Sequence, residues 1–463
     1  MMTTHTQEQR VFEQRSLEDL HSTVPAPTSA AGFWRQLRAY SGPALLVSVG
    51  YMDPGNWGTD LQAGAMFKYG LLWVVALASL MAIFLQLLAA RVGLVLGKDL
   101  AQCCRDYYPR WSRWPMWLLS ELAIGACDLA EVLGSAVALN LLFHIPLFWA
   151  VLITAADVLL LLALRRVGMR SLEAIVLLLV ATIGVCYFIE IFVLPQTQPG
   201  FLEMGRALVS PQLRRAGMLY LAIGIIGATV MPHNLYLHSA LVQTRKKENT
   251  SAGMRQAIRF NNLDTVISLS IAFLVNASIL VLAALVFHGA QEVATPSGIV
   301  RLSPDSDWIR IAYLTLAPLL GTAAASLLFG VALLASGQSS TITGTLAGQV
   351  VMEGFMHWKI SPGIRRLITR LLAILPAVLV IGIKGEGSVT DLLTLSQVVL
   401  ALQLPFAMFP LLQFASSKRL MGEWKPGILL STAGWISALL ITAMDLWGLP
   451  ASMQAVLSFL GSR

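Results

Sequence analysis

The chain has 463 residues, of which 56% are apolar and only 12% charged, with a mean hydropathy of +0.70. Soluble domains carry roughly 25% charged residues, so composition overrides the two or three soluble domains that length alone permits. It points to one polytopic helical membrane domain; the net charge of +7 then belongs to membrane topology, and nucleic-acid binding is excluded despite a pI of 9.4.

Residues 1–40 are polar, carry both signs of charge and lack the apolar core of a secretory signal. They read as a flexible cytoplasmic tail that ends in a surface helix at Phe33–Tyr40. A bilayer-spanning helix needs about 20 apolar residues. Eleven such spans follow, near 43–67, 71–96, 116–140, 146–164, 173–194, 217–240, 264–287, 311–335, 364–383, 392–415 and 426–446.

The first span is interrupted near its middle by Asp53-Pro54-Gly55-Asn56. Between spans two and three, Cys103 and Cys104 are adjacent in a basic loop, while Cys127 and Cys186 sit inside apolar runs. No CxxC spacing occurs, so the cysteines read as small packing residues. Span three carries Glu121, Asp128 and Glu131. The last two are i,i+3 and Glu121 lies two turns earlier, which puts all three on one stripe. Carboxylates are costly in lipid and mark a proton relay or a buried ion-pair network.

Span six is broken at Met231-Pro232-His233-Asn234, with His238 further along the same half-helix. The polar run Gly337–Phe355 (GQSSTITGTLAGQVVMEGF) follows span eight. Span nine is the weakest, because its uncharged stretch Leu371–Ile383 is short and Arg370 must be absorbed. Span ten holds two amides, Gln397 and Gln403. The stub Ala451–Leu460 is too short to cross, so 449–463 reads as a short external tail.

Of the 32 Lys and Arg residues, 24 fall in the tail and in segments 91–113, 165–170, 245–259, 359–370 and 418–425. The positive-inside rule then places the N-terminus in the cytoplasm and the C-terminus outside. Anionic lipid headgroups are the expected partner of this charge. The compact chain, without an organelle signal, suits a bacterial cytoplasmic membrane.

Proline removes a backbone donor and clashes with the preceding turn. In a membrane such backbone survives only where it faces protein or a watery cavity. The two breaks lie five spans apart, each in the first helix of a five-helix half. Paired interruptions of this kind indicate a transporter of inverted repeats with a binding site at the midplane. The expected fold is therefore all-α and polytopic, with a transport domain at 41–448. Repeat one covers about 43–194, repeat two about 217–415, and an eleventh helix about 426–446.

DPGN in span one, MPHN in span six and the Gly337–Phe355 run together resemble the Nramp family of proton-coupled divalent-metal transporters. The likeness runs from about Gly42 to the end of span eleven. It implies a LeuT-like arrangement, a transported Mn²⁺ or Fe²⁺ and no permanently bound cofactor. Protons accompany the metal, and a monomer is the expected working unit.

Asp53 and Asn56 offer hard oxygens and Met231 a soft thioether, a mixture that shifts preference towards transition metals. Unwound backbone adds the carbonyls of Gly50 and Ala228. The resemblance implies this same set and suggests Gln397 in closed states, with Gln403 as the competing amide. It also implies proton or gating roles for His233 and His238. By the same likeness the acids of span three pair with an arginine of span nine, for which Arg370 is the first choice and Arg366 the second.

Other classes fit less well. A sodium- or proton-coupled amino-acid symporter of the same architecture would gain nothing from Met231. A Mg²⁺-carrying relative would gain nothing from a thioether either. No HExxH occurs among the seven histidines, so an intramembrane metalloprotease is excluded. A channel would not need broken helices with a titratable relay.

Overall fold

The computed structural model describes residues 21–27, 31–156, 169–189, 199–213, 215, 217–295, 298–303, 306–320, 323–358, 360, 362–385 and 389–461. Helices dominate, as they must where backbone groups in lipid can be satisfied only within their own segment. A surface helix α1 (Phe33–Tyr40) precedes the first span, which is split into α2 (Pro43–Gly50) and α3 (Pro54–Phe67). Then come α4 (Leu72–Leu96), α5 (Leu100–Tyr107), α6 (Arg113–Phe143), α7 (Leu147–Ile153), α8 (Met169–Phe188) and α9 (Phe201–Val209). The sixth span is split into α10 (Met218–Val230) and α11 (Pro232–Leu241). It is followed by α12 (Ser251–Val286), α13 (Trp308–Leu320), α14 (Ala323–Met356), α15 (Pro362–Lys384), α16 (Val389–Ser416), α17 (Lys418–Met421) and α18 (Ile428–Gly461).

Two small sheets complete the fold. Strand β1 (Val24–Pro25) pairs in parallel with β2 (Arg245–Lys246), and β3 (Glu292–Thr295) forms a hairpin with β4 (Gly298–Arg301). Among the described residues nine helices are long and apolar enough to cross a membrane. The half-helices of the first span and the described part of the fourth, Leu147–Ala156, are shorter than that.

Helix α6 lies against α14, α15 and α16, while α3 is enclosed by α10, α12 and α16. The breaks therefore sit in the centre of the bundle, where Asp53, Asn56 and Met231 have at most 1% of their surface exposed. Large apolar side chains stay uncovered on the periphery, as with Leu118 and Leu122 on α6 and Leu371, Leu372 and Leu375 on α15. A protein facing lipid needs no polar cover there.

The connecting segments gather at two ends. Arg170 and Arg245 both reach the Ser41 carbonyl, Lys247 reaches Leu94, Arg105 reaches Gly354, and Tyr108 reaches Gln413. At the other end Lys68 pairs with Glu203 and Thr390 donates to Asp307. The basic segments thus share one face of the bundle.

Four expectations need correction. The eighth crossing helix is not 311–335 but α14, with its apolar crossing part at Ser326–Met356. Gly337–Phe355 lies within that helix and not after it, because its hydroxyls and amides are turned to the interior. Residues 449–461 form no separate tail, since α18 runs through Pro450 to Gly461. The seventh helix starts at Ser251, capped by Thr250, well before 264. The tail is partly fastened, with residues 24–25 held in the β1–β2 pair. Residues 1–20 of the tail, 157–164 of span four, 190–194 of span five and Arg165 and Arg166 lie outside the described residues.

Candidate metal-ion site

Asp53 is the N-cap of α3, with Pro54 at the first helical position, where a missing N–H costs nothing. Its Oδ1 accepts from the Asn56 backbone N–H at 2.9 Å and from Asn56 Nδ2 at 2.8 Å. Its Oδ2 has no partner. The restarted helix is thus capped by the aspartate, and Asn56 is free to reach across the site. Asn56 Nδ2 also donates to the Ala228 carbonyl at 3.1 Å, which joins the first break to the second.

At the second break Met231 has a φ of +34°. Non-glycine residues avoid this region, and such strain persists only where surrounding structure holds it. Met231 packs on Ala123 and Cys127 of α6 and on Leu400 of α16. Its Sδ accepts from Asn234 Nδ2 at 3.5 Å. Gly50 closes the gap between the breaks: a Cβ there would lie 3.2 Å from Met231 Sδ and would overlap the Asn234 amide. The Gly50 carbonyl accepts from the Asp53 N–H at 3.3 Å.

Gln397 lies against the first break, since a Cβ on Gly55 would overlap its amide. Its Nε2 donates to Ser396 Oγ at 2.9 Å and its Oε1 has no partner. Gln403 is buried, and neither its Oε1 nor its Nε2 has a hydrogen-bond partner. Buried polar atoms are nearly always paired. Here Asp53 Oδ2, Gln397 Oε1, Asn234 Oδ1 and His233 Nδ1 are all left without partners. Three of these are acceptor oxygens, a donor set ready for a cation. Among the described residues no three His, Cys, Asp or Glu side chains cluster as a metal site. The site is built from one carboxylate, amides, carbonyls and a thioether.

His233 is buried and within electrostatic reach of Asp128. His238 Nδ1 lies 3.0 Å from Gln86 Oε1, and Gln86 Nε2 donates to the Tyr51 hydroxyl at 2.8 Å. That chain links Tyr51, at the first break, to the second half of the sixth span.

The acids of α6 meet α15. Arg366 pairs with Asp128 and, through Nη2, with Glu131 Oε2 at 2.9 Å, all three side chains being at most 1% exposed. Arg370 is 4.0 Å from Glu131 and donates to the Asp128 carbonyl at 3.5 Å and to Thr341 Oγ1 at 3.3 Å. Arg366 is the closer partner of both acids, and Arg370, one turn further along α15, reaches Glu131 and the same cluster as well. Arg365 pairs with Glu121 at 2.7 Å, nearer to solvent. Two arginines thus face two carboxylates in the buried cluster, so neither sign is left in excess.

Several participants escaped the sequence reading. Asn276 of α12 donates to the Tyr51 carbonyl at 2.7 Å and to Asn56 Oδ1 at 3.1 Å. Thr341 of α14 donates to Glu131 Oε2 at 3.0 Å, and Ser336 donates to the Met52 carbonyl. Asp60, two turns beyond Asp53, is buried with both oxygens unpaired. Thr341, Ser336 and Asp60 each put a hydroxyl or carboxylate inside a span, which was the available signal. The four cysteines are all buried and free. Burial pushes the Cys103 thiol up to about 12, which leaves it unreactive at neutral pH.

The family model described as natural resistance-associated macrophage protein-like (Nramp) matches residues 44–450. A divalent metal cation transporter MntH of Nostoc sp. is 50% identical over 440 residues, covering 95% of this chain and 96% of its own. The protein of the same description in Listeria innocua is 46% identical, covering 93% and 94%. A crystal structure of the Eremococcus coleocola manganese transporter superposes with a TM-score of 0.85 at 40% identity, covering 97% and 92%. The nucleobase-cation-symport-1 transporter MHP1 matches with a TM-score of 0.55 at 13% identity, covering 92% and 95%, a likeness of fold alone.

Proposed function

Because the chain belongs to the Nramp family, we propose that it is a secondary active transporter, not an enzyme, that imports divalent transition-metal ions. Mn²⁺ is the principal cargo and Fe²⁺, Co²⁺ and Cd²⁺ are carried too, with protons moving inward alongside the metal. The observation that carries this reading is the meeting of Asp53, Asn56, Met231 and the Gly50 and Ala228 carbonyls at two facing breaks. Hard oxygens alone would suit Mg²⁺ or Ca²⁺, and the added sulfur favours softer ions. Met231 likewise argues against a Mg²⁺-carrying relative.

Each site residue then has a part. Asp53, Asn56 and Met231 hold the metal, and Gln397 joins when α16 closes over the site. His233 hands a proton from the site towards Asp128, and Glu131 and Glu121 continue that route along α6, with Arg366 and Arg370 balancing its charge. His238 and Gln86 form part of the gate below the breaks. The protein works as a monomer in the cytoplasmic membrane, repeat one at about 43–194 and repeat two at about 217–415. The basic end faces the cytoplasm, and the C-terminal end of α18 faces outward. Proteoliposomes with an internal pH dye test this: Mn²⁺ should enter with protons, while Ca²⁺ and Mg²⁺ should enter poorly. Uptake of Mg²⁺ equal to that of Mn²⁺ would overturn it.

A further inference from the structure

At the basic end of the bundle a cavity of about 790 Å³ opens between residues 25–27, α1, the start of α2 and the first turns of α8. Three guanidinium groups line it, from Arg35, Arg38 and Arg170, against one carboxylate, that of Glu173. That carboxylate is already engaged, at 3.0 Å from Arg170 and 2.8 Å from Arg245. Arg35 and Arg38 project from the exposed side of α1 and pair with no carboxylate among the described residues. The cavity continues past Leu45 to Leu177, which is 51% exposed on the outer face of α8. On the same α1, Phe33 and Trp34 are uncovered, the arrangement of a helix lying in an interface.

From this geometry we propose that the cavity seats the headgroup of an anionic phospholipid. The phosphodiester sits between Arg35, Arg38 and Arg170, and an acyl chain runs out along Leu45 and Leu177. Arginine suits phosphate because its fork presents paired donors. A volume of this size holds a headgroup, and the apolar wall beside it explains why the anion is a lipid and not a free ion. That the lipid comes from the cytoplasmic leaflet rests on the sidedness proposed above.

The site bears on transport through Arg170. Its Nη1 donates to the Ser41 carbonyl at 2.8 Å and its Nη2 to the Ala39 carbonyl, so it holds the chain just before α2. Asp264 caps the same point, accepting from the Gly42 and Ala44 N–H groups at 3.1 and 3.0 Å. A phosphodiester on Arg170 therefore adds a further tie at the outer end of the first half-helix.

The test is native mass spectrometry of the full-length protein in micelles doped with phosphatidylglycerol or phosphatidylcholine. Wild type should retain phosphatidylglycerol selectively, and the Arg35→Gln/Arg38→Gln double variant should lose that selectivity about tenfold or more. Both side chains are exposed, so the variant should fold, and an unchanged melting temperature in phosphatidylcholine checks that it does. Lys418→Gln/Arg419→Gln, which removes equal charge from the same face elsewhere, should retain the lipid. Equal retention by wild type and the Arg35/Arg38 variant, or equal loss in the control, would overturn the site. So would millimolar inorganic phosphate displacing the lipid completely, since that would make it a free-anion site. Micelles have no leaflets, so this result is independent of sidedness. Sidedness is read separately from thiol labelling of an Arg35→Cys variant in sealed right-side-out vesicles, where labelling from outside would overturn the leaflet assignment alone.

Discussion

Asn56 donates both its backbone and its side-chain nitrogen to a single oxygen of Asp53 and leaves the other carboxylate oxygen bare. The aspartate is thus a helix cap on one side and an unsatisfied acceptor on the other. These two duties can be separated by substitution.

Asp53→Asn keeps a good N-cap and removes the charge, whereas Asp53→Ala removes both. Losing a cap costs about 1 kcal/mol. Both variants should lose Mn²⁺ uptake in proteoliposomes, and Asp53→Asn should melt at or above the wild-type temperature in detergent, with Asp53→Ala below Asp53→Asn. Uptake by either variant at the wild-type rate would remove Asp53 from the site.

Arg366→Gln strips the main partner from two buried carboxylates, while Arg370→Gln strips a more distant one. Breaking a buried pair costs roughly 3–5 kcal/mol. The Arg366 variant should therefore be the much less stable of the two by thermal unfolding in detergent. An equal loss in both would mean that the cluster is held by Arg370 as firmly as by Arg366.

Asp128→Asn removes a titratable group near His233 without touching a proposed metal donor. Mn²⁺ binding measured by calorimetry should persist. Proton influx that accompanies Mn²⁺ should fall, and uptake should vary less with external pH. Loss of metal affinity with proton influx intact would contradict a relay along α6.

Met231→Ala removes the thioether at the second break. Cd²⁺ uptake should suffer most and Mn²⁺ less, while Ca²⁺ or Mg²⁺ should compete better than in wild type. A shift of about 1.4 kcal/mol between cargoes changes selectivity tenfold. Competition by excess Ca²⁺ that is identical in both proteins would place selectivity elsewhere.

The sequence was most informative where chemistry is local. Asp53-Pro54 and Met231-Pro232 announce their breaks because proline acts on its own turn, and both breaks are present. The choice between Arg366 and Arg370 was not local. They lie one turn apart on the same face of α15, and which one meets Asp128 depends on how far that helix slides along α6. The eighth helix was misplaced because Ser336, Thr341 and their neighbours lower the hydropathy of Ser336–Phe355, although they turn inward to Met52 and Glu131. The stub Ala451–Leu460 is too short to cross by itself, yet α18 continues through Pro450 into it. Asn276 gave no pattern at all; an isolated amide becomes meaningful only once a fold brings it to Asn56.

Pro54 of the first break rests on Gly134 of α6, where a Cβ would overlap the proline ring. Ala123 and Cys127, lower on α6, receive Met231 of the second break. A single rod thus offers small residues to both breaks. Variation along this rod should be unevenly permitted in a deep mutational library selected on manganese-limited growth. Gly134, which has no side-chain donor, should tolerate replacement as poorly as a ligand does, and Leu118 and Leu122 on the lipid side should accept almost any apolar exchange.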